Sequence, residues 1–220
     1  MIPRTLEPEV MDTAEEADSY DRMDHSAPHQ AFVQRLIEIG ARGRMIDIGT
    51  GPGQIPVLVA ERVVDARVVG IDLSAHMLRH AERHKRASAH GDRVEFRQGN
   101  ARQLDFPDQS FDAVFSNTIL HHIHDPRPFL REAKRVLRPG GALLIRDLYR
   151  PWSLRRADEL VALHACSSNR FQQDMFRASL CAALTPFELR RMADECGLAE
   201  AEITIDSDRH VSLQIAGRPW

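Results

Sequence analysis

Residues 44–54 read Arg-Met-Ile-Asp-Ile-Gly-Thr-Gly-Pro-Gly-Gln, residue types that can do chemistry on a bound ligand. An apolar run carries Asp47 and breaks into Gly49, Gly51 and Gly53. Residues 54–60 then continue with helical apolar spacing and place Pro56 in the first turn, where a missing N–H costs nothing. Glycines let such a turn adopt unusual backbone angles and let a ligand approach the main chain. At the carboxyl end of a parallel strand, this is where open α/β sheets hold ligands. A second apolar run, 67–71, ends in Asp72, a carboxylate able to accept two hydrogen bonds from a ribose diol. A third run, 94–98, leads to Gly99, Asn100 and Ala101. A fourth, 111–115, leads to Ser116 and Asn117, with His121 and His122 just beyond. Imidazoles there are natural candidates to accept a proton near neutral pH.

Two common phosphate-binding patterns do not fit. The dinucleotide fingerprint needs a third glycine at position 54, which is Gln54, and a P-loop needs Gly-Lys-Ser/Thr at the turn. The run Asp47-x-Gly49-x-Gly51-x-Gly53 instead resembles the first motif of the class I S-adenosylmethionine-dependent methyltransferases. Asp72, Asn100, the 111–117 strand and the Pro139-Gly140-Gly141 segment before 142–145 follow in that family's order and spacing. The cofactor half is most similar to the ubiquinone and menaquinone methyltransferase group.

The resemblance implies S-adenosyl-L-methionine as cofactor. Asp47 would face its cationic amino-acid end, Gly49, Thr50, Gly51 and Gly53 would pass beneath it, and Asp72 would hold the ribose. Asn100 would address the adenine amino group, Leu73, Met77, Gly99, Ala101 and Ser116 would add to the cofactor site, Asn117 would line the cofactor or acceptor pocket, and Tyr20 would come from an element folding over it. His121 and His122 are the candidate catalytic residues, with a packing or cofactor-shielding role as the alternative. The implied fold is α/β: a doubly wound, mostly parallel seven-stranded sheet with an antiparallel C-terminal hairpin and a helical cap insertion. A single domain over 1–220 would divide into an N-terminal helical arm or lid at 1–43, a cofactor-binding core at 44–148, a cap at 151–184, and the last helix and hairpin at 185–220.

Composition agrees. The chain has 220 residues, 43% hydrophobic and 28% charged, enough for one large core. A net charge of −3 argues against general affinity for nucleic acid or an anionic membrane. The strand-four motif Ser116-Asn117-Thr118-Ile119 departs from the Asp/Asn-Pro-Pro-Tyr/Phe of family members that methylate base amines. No apolar run approaches membrane-spanning length, and no secretory leader is recognisable. Three cysteines without a C-x-x-C pair predict reduced thiols, no disulfide, no metal site anywhere in the chain and a cytoplasmic location. His76, His80 and His84 recur every four residues, but among Arg79, Arg83 and Arg86 they read as a solvated face, and no metal is expected there.

The positioning elements follow from periodicity. Residues 14–26 and 30–37 read as helices, and 136–145 as a helix end, a Pro-Gly-Gly turn and a strand. Thr185 and Glu188 form a capping-box signature with Pro186 at the first helical position. Residues 201–206 and 211–216 alternate as a hairpin. The 151–184 insertion, bearing Trp152, Phe171 and Phe176, is the candidate acceptor cap. Arg146 or Arg150 could pair with an anionic acceptor, with a surface ion pair as the alternative. The expected activity is methyl transfer to a small-molecule acceptor at O, N or C. A non-catalytic S-adenosylmethionine-binding subunit is the alternative, and an NAD(P)-dependent reductase is weakened by Gln54. The oligomeric state is open, a homodimer included.

Overall fold

The computed structural model describes residues 2–7, 13–23, 25–166 and 168–218. Parts of the expected N-terminal arm, at 1, 8–12 and 24, lie outside them. Seven strands, β1 (Arg44–Ile48), β2 (Arg67–Asp72), β3 (Val94–Gln98), β4 (Phe111–Asn117), β5 (Leu137–Leu148), β6 (Glu202–Ile205) and β7 (His210–Ile215), form one sheet in the order β3-β2-β1-β4-β5-β7-β6. This is the expected doubly wound, mostly parallel sheet with antiparallel strands at its C-terminal edge.

The chain divides into two compact units. The larger comprises described residues within 10–117, 128–145 and 214–218. Its β1 pairs in parallel with both β2 and β4, with Asp47 opposite Gly70 and Phe115, and β2 pairs in parallel with β3. The connecting helices are α3 (Gln54–Arg62) between β1 and β2 and α4 (Ala75–Ala87) between β2 and β3. Helical crossovers of this kind are what adjacent parallel strands require. Helices α1 (Ala14–Asp21) and α2 (Ser26–Glu38) precede the sheet, and α5 (Arg127–Val136) precedes β5. The central strands read as unbroken apolar runs because both faces are covered. The core joins Phe32, Val33 and Leu36 of α2 to Met45, Val59, Val68, Phe115 and Leu144. Phe32 and Phe115 are fully buried with ring centroids 6.1 Å apart, and each such burial contributes about 1.5–3 kcal/mol.

The smaller unit holds 2–7, 118–127 and 146–213, apart from 167. It contains α6 (Leu154–His164), α7 (Arg170–Ala182) and α8 (Pro186–Glu195). Leu148, Ala157, Leu160, Leu180 and Ala183 make its core, with Val161 and Phe176 packed on it. The Thr185–Glu188 capping box forms as expected. A second one, Asn169–Gln172, starts α7.

Two local expectations change. The 14–26 helix stops at Asp21 and a new helix starts at Ser26. The Pro139-Gly140-Gly141 segment is the start of β5 rather than a turn, with Gly140 at φ +80°. A Cβ on Gly141 would lie 2.6 Å from the Asp112 carbonyl oxygen, so glycine here serves close strand approach.

Gly53 caps α3 at φ +74°, and a Cβ there would meet Phe96 Cζ at 2.4 Å and Ala81 Cβ at 2.7 Å. Backbone strain and overpacking therefore act together. Gly53→Ala should destabilise the protein by about 1–3 kcal/mol in a denaturant titration. An unchanged midpoint would mean that the loop is not held against α4 and β3.

Candidate functional site

The sheet order reverses between β1 and β4, and ligands of open α/β sheets bind outside the strand ends at such a point. Asp47 sits there, 2% exposed. Its Oδ2 accepts a hydrogen bond from Thr50 Oγ1 at 2.7 Å, while Oδ1 is buried with no hydrogen-bond partner. Burial raises the Asp47 pKa to about 7; the Thr50 hydrogen bond opposes this and the Asp72 charge adds to it. An orphaned carboxylate oxygen in such a place is complementary to a cation.

The loop after β1 turns through Gly49, Gly51 and Gly53, all at positive φ. The Gly49 and Thr50 amides donate to the Ile71 carbonyl, at 2.7 and 2.9 Å. A Cβ built on Gly51 meets nothing within 4 Å, so space lies open above the chain where the sequence demanded room. The Gly51 N–H donates to Asp72 Oδ2 at 2.7 Å and the Ser74 N–H to Asp72 Oδ1 at 2.9 Å. These bonds orient the Asp72 carboxylate.

The remaining expected cofactor residues divide by what already holds them. Leu73 is 44% exposed, an apolar side chain open to a ring, while Met77 is buried. The Gly99 amide donates to the Asp72 carbonyl at 2.9 Å, and Asn100 Oδ1 accepts the Arg102 N–H at 2.9 Å in the turn containing Ala101. Ser116 is buried, its hydroxyl committed to the Ile48 carbonyl at 2.6 Å, and Asn117 ends β4. Tyr20, near the end of α1, stacks on His25 with centroids 4.9 Å apart.

The expectation of a solvated histidine face on α4 is corrected. His80 Nε2 lies 2.8 Å from Asp18 Oδ1 and His84 Nε2 lies 2.7 Å from Asp21 Oδ1, with Arg83 also on Asp21. Burial would raise the Asp21 pKa, but the His84 hydrogen bond and the surrounding cations leave it lowered. These pairs fasten α1 to α4.

In the smaller unit, residues 118–124 form a turn. Thr118 has φ +58°, an outlier for a β-branched residue, and its N–H donates to the Arg146 carbonyl at 2.8 Å. His121 is 4% exposed. Its Nδ1 lies 2.6 Å from Asp147 Oδ1 and its backbone N–H donates to Asp147 Oδ2 at 3.0 Å. Burial works against protonating His121, but the Asp147 charge and hydrogen bond prevail and raise its pKa. For Asp147, burial is likewise outweighed by His121, and its pKa is lowered. An ionised Asp147 assigns the Nδ1 proton to His121, so Nε2 carries the lone pair of the neutral ring. The His122 ring lies 4.1 Å from that of His121.

Two charged residues gave no sequence signal. Glu7 places Oε1 3.6 Å from His121 Nε2 and 3.1 Å from His122 Nδ1. Arg4 donates to the Ile123 and His124 carbonyls at 2.9 Å each and to Ala182 O at 2.5 Å, fixing the turn. The anionic-acceptor expectation for Arg150 is also corrected. Its Nη2 pairs with Glu188 at 2.7 Å, Nη1 donates to Ala183 O and Nε to Ile2 O. Burial lowers the pKa of Arg146 to about 10.

A family profile described as a methyltransferase domain matches residues 46–145. The chain is 37% identical over 112 residues to 27-O-demethylrifamycin SV methyltransferase of Amycolatopsis mediterranei, covering 51% of this chain and 41% of that protein. It is 30% identical over 145 residues to demethylmenaquinone methyltransferase of Symbiobacterium thermophilum, covering 62% and 57%. The chain thus spans about half the length of these relatives. A solved S-adenosylmethionine-dependent methyltransferase from Aquifex aeolicus superposes with a TM-score of 0.66 at 18% identity, over 92% of this chain and 97% of that one, a likeness of fold. Residues 46–145 thus match a methyltransferase-domain profile, and the sheet shares the fold of a solved S-adenosylmethionine-dependent methyltransferase.

Proposed function

We propose that this protein transfers a methyl group from S-adenosylmethionine to a hydroxyl oxygen of a small molecule, with His121 accepting the hydroxyl proton. The buried, unpartnered Asp47 Oδ1 beside the open space over Gly51 carries the cofactor half of this reading. When bound, S-adenosylmethionine supplies a methyl carbon on a sulfonium, an electrophile that asks of the protein mainly positioning and electrostatics.

Asp47 holds the cofactor's ammonium and gains the cation its orphaned oxygen lacks. Asp72, already oriented by the Gly51 and Ser74 amides, accepts the ribose hydroxyls. Leu73 and Met77 supply apolar contact for the adenine, and Asn100 lies at the turn after β3. Tyr20, Gly99, Ala101, Ser116 and Asn117 complete the proposed lining.

The acceptor half rests on the His121–Asp147 pair. A neutral hydroxyl is a poor nucleophile until its proton leaves. His121 takes that proton on Nε2, and Asp147 fixes the tautomer and stabilises the imidazolium. One relative's name specifies an O-demethylated compound, which supports oxygen over nitrogen or carbon as the acceptor atom. His122 stacks on His121 and is assigned no proton transfer.

Turnover of methyl-labelled S-adenosylmethionine against a panel of hydroxylated metabolites tests the proposal. Micromolar binding of NAD with no response to S-adenosylmethionine would overturn it. His121→Gln and Asp147→Asn should each lower kcat by about 10²–10⁴ while cofactor affinity, measured calorimetrically, stays within about twofold. Full activity in both variants would remove His121 from the chemistry.

Cofactor affinity should also depend on pH. Asp47 binds a proton below about 7 in the ligand-free protein and must release it to pair with the ammonium. Affinity should therefore weaken as pH falls below 7, approaching tenfold per pH unit, with proton release on binding at pH 6. Calorimetry in buffers of different ionisation enthalpy measures that proton. Asp47→Asn should abolish the release, and a wild-type protein that releases none would contradict the role given to Asp47.

A further inference from the structure

Three nitrogen and oxygen donors converge in the smaller unit with no function assigned to their convergence. Glu7, His121 and His122 each offer one ligand atom, all within 4.8 Å of one another. Glu7 Oε1 stands 3.1 Å from His122 Nδ1 and 3.6 Å from His121 Nε2. Donors bound at about 2.1 Å to one ion lie about 3.0 Å apart at right angles and about 3.4 Å apart at tetrahedral angles. The two separations, 3.1 and 3.6 Å, lie within about 0.2 Å of those values.

The details of each donor point the same way. His122 Nδ1 is buried and makes no hydrogen bond. Glu7 Oε1 lies 3.1 Å from it without forming a hydrogen bond. His121 presents Nε2 because Asp147 holds Nδ1 at 2.6 Å. A carboxylate behind a histidine is the usual support of a metal-ligating imidazole. Ser179 Oγ donates to Glu7 Oε1 at 3.2 Å, and Thr5, two residues before Glu7, donates its N–H to the Cys181 carbonyl at 3.1 Å. The ligand set is thus braced on two sides, with side-chain exposures of 5% for His121, 22% for His122 and 14% for Glu7.

We infer that Glu7, His121 and His122 form a binding site for a divalent transition metal ion, held in a two-histidine, one-carboxylate arrangement. Two imidazoles favour zinc, copper, iron or nickel over magnesium, calcium or manganese. Occupancy would take the Nε2 lone pair of His121, so a bound ion inhibits methyl transfer. Only this inhibition rests on the proton-accepting role proposed for His121; the site itself does not.

The test is titration of the full-length protein with zinc chloride by calorimetry and with cobalt chloride by visible absorption, without cofactor or acceptor. Wild type should bind one equivalent, and Glu7→Gln and His122→Ala should each weaken binding at least tenfold. His80→Ala, which alters the separate cluster with Asp18 and Asp21, should leave it unchanged. Absence of stoichiometric binding, binding unaffected by Glu7→Gln, or loss of binding in His80→Ala would each overturn the site. Glu7→Gln keeps the side chain's size, so the test does not depend on the histidine variant folding. In turnover assays, the zinc concentration that halves each protein's own metal-free rate should rise at least tenfold in Glu7→Gln. Stoichiometric binding without inhibition would overturn the role of His121 and leave the site standing, whereas turnover without binding would do the reverse.

Discussion

A carboxylate buried without a cation governs the larger unit. Asp47 lies in a strand flanked on both sides, and water does not reach its Oδ1. Desolvation makes its ionisation unfavourable, and the single hydrogen bond from Thr50 offsets this only in part. Between its ordinary carboxyl range and about pH 7 the folded protein holds a proton that the unfolded chain would release. Asp47 therefore costs the ligand-free fold stability as pH rises through that window, and the loss stays constant above it. A cationic ligand relieves this strain, so binding and the local electrostatics are one phenomenon.

The surrounding geometry serves that carboxylate. The chain must leave β1, turn and start α3 within a few residues, which positive φ at Gly49, Gly51 and Gly53 allows. The glycines are not equivalent. Gly51 faces open space, whereas a side chain at Gly53 would meet Phe96 and Ala81, so packing alone excludes one only at the second. The Gly51 amide also reaches Asp72, which ties the β1 loop to the end of β2. Two adjacent strand ends thereby present two oriented carboxylates with different partners and different solvation.

The smaller unit solves a different problem, placing imidazoles in a turn without regular structure. Thr118 takes up a strained backbone angle at its start, and Arg4 spans the carbonyls at its end. A guanidinium suits this task because its planar fork satisfies several acceptors at once. Asp147 then sets the orientation of His121 through both its side chain and its backbone. Arg150, with its guanidinium engaged by Glu188 and two carbonyls, braces the same unit rather than meeting a ligand.

Local sequence determined much of this protein. Apolar runs set the strands, the glycine spacing marked the loop after β1, Thr185 and Glu188 marked the start of α8, and alternation marked β6 and β7. Each is a signal within a few residues, because backbone angles, capping and side-chain period are local properties. The 139–141 segment misled for the same reason, since a Pro-Gly-Gly run suits a turn as well as a close strand approach. Tertiary structure alone decided which charges meet. Glu7 reaches His121 and His122, Asp18 and Asp21 reach His80 and His84, and Arg150 reaches Glu188 across long stretches of chain. Pairing of that kind depends on where the backbone path brings side chains together, and burial then fixes how strongly the charges act, neither of which residue spacing records.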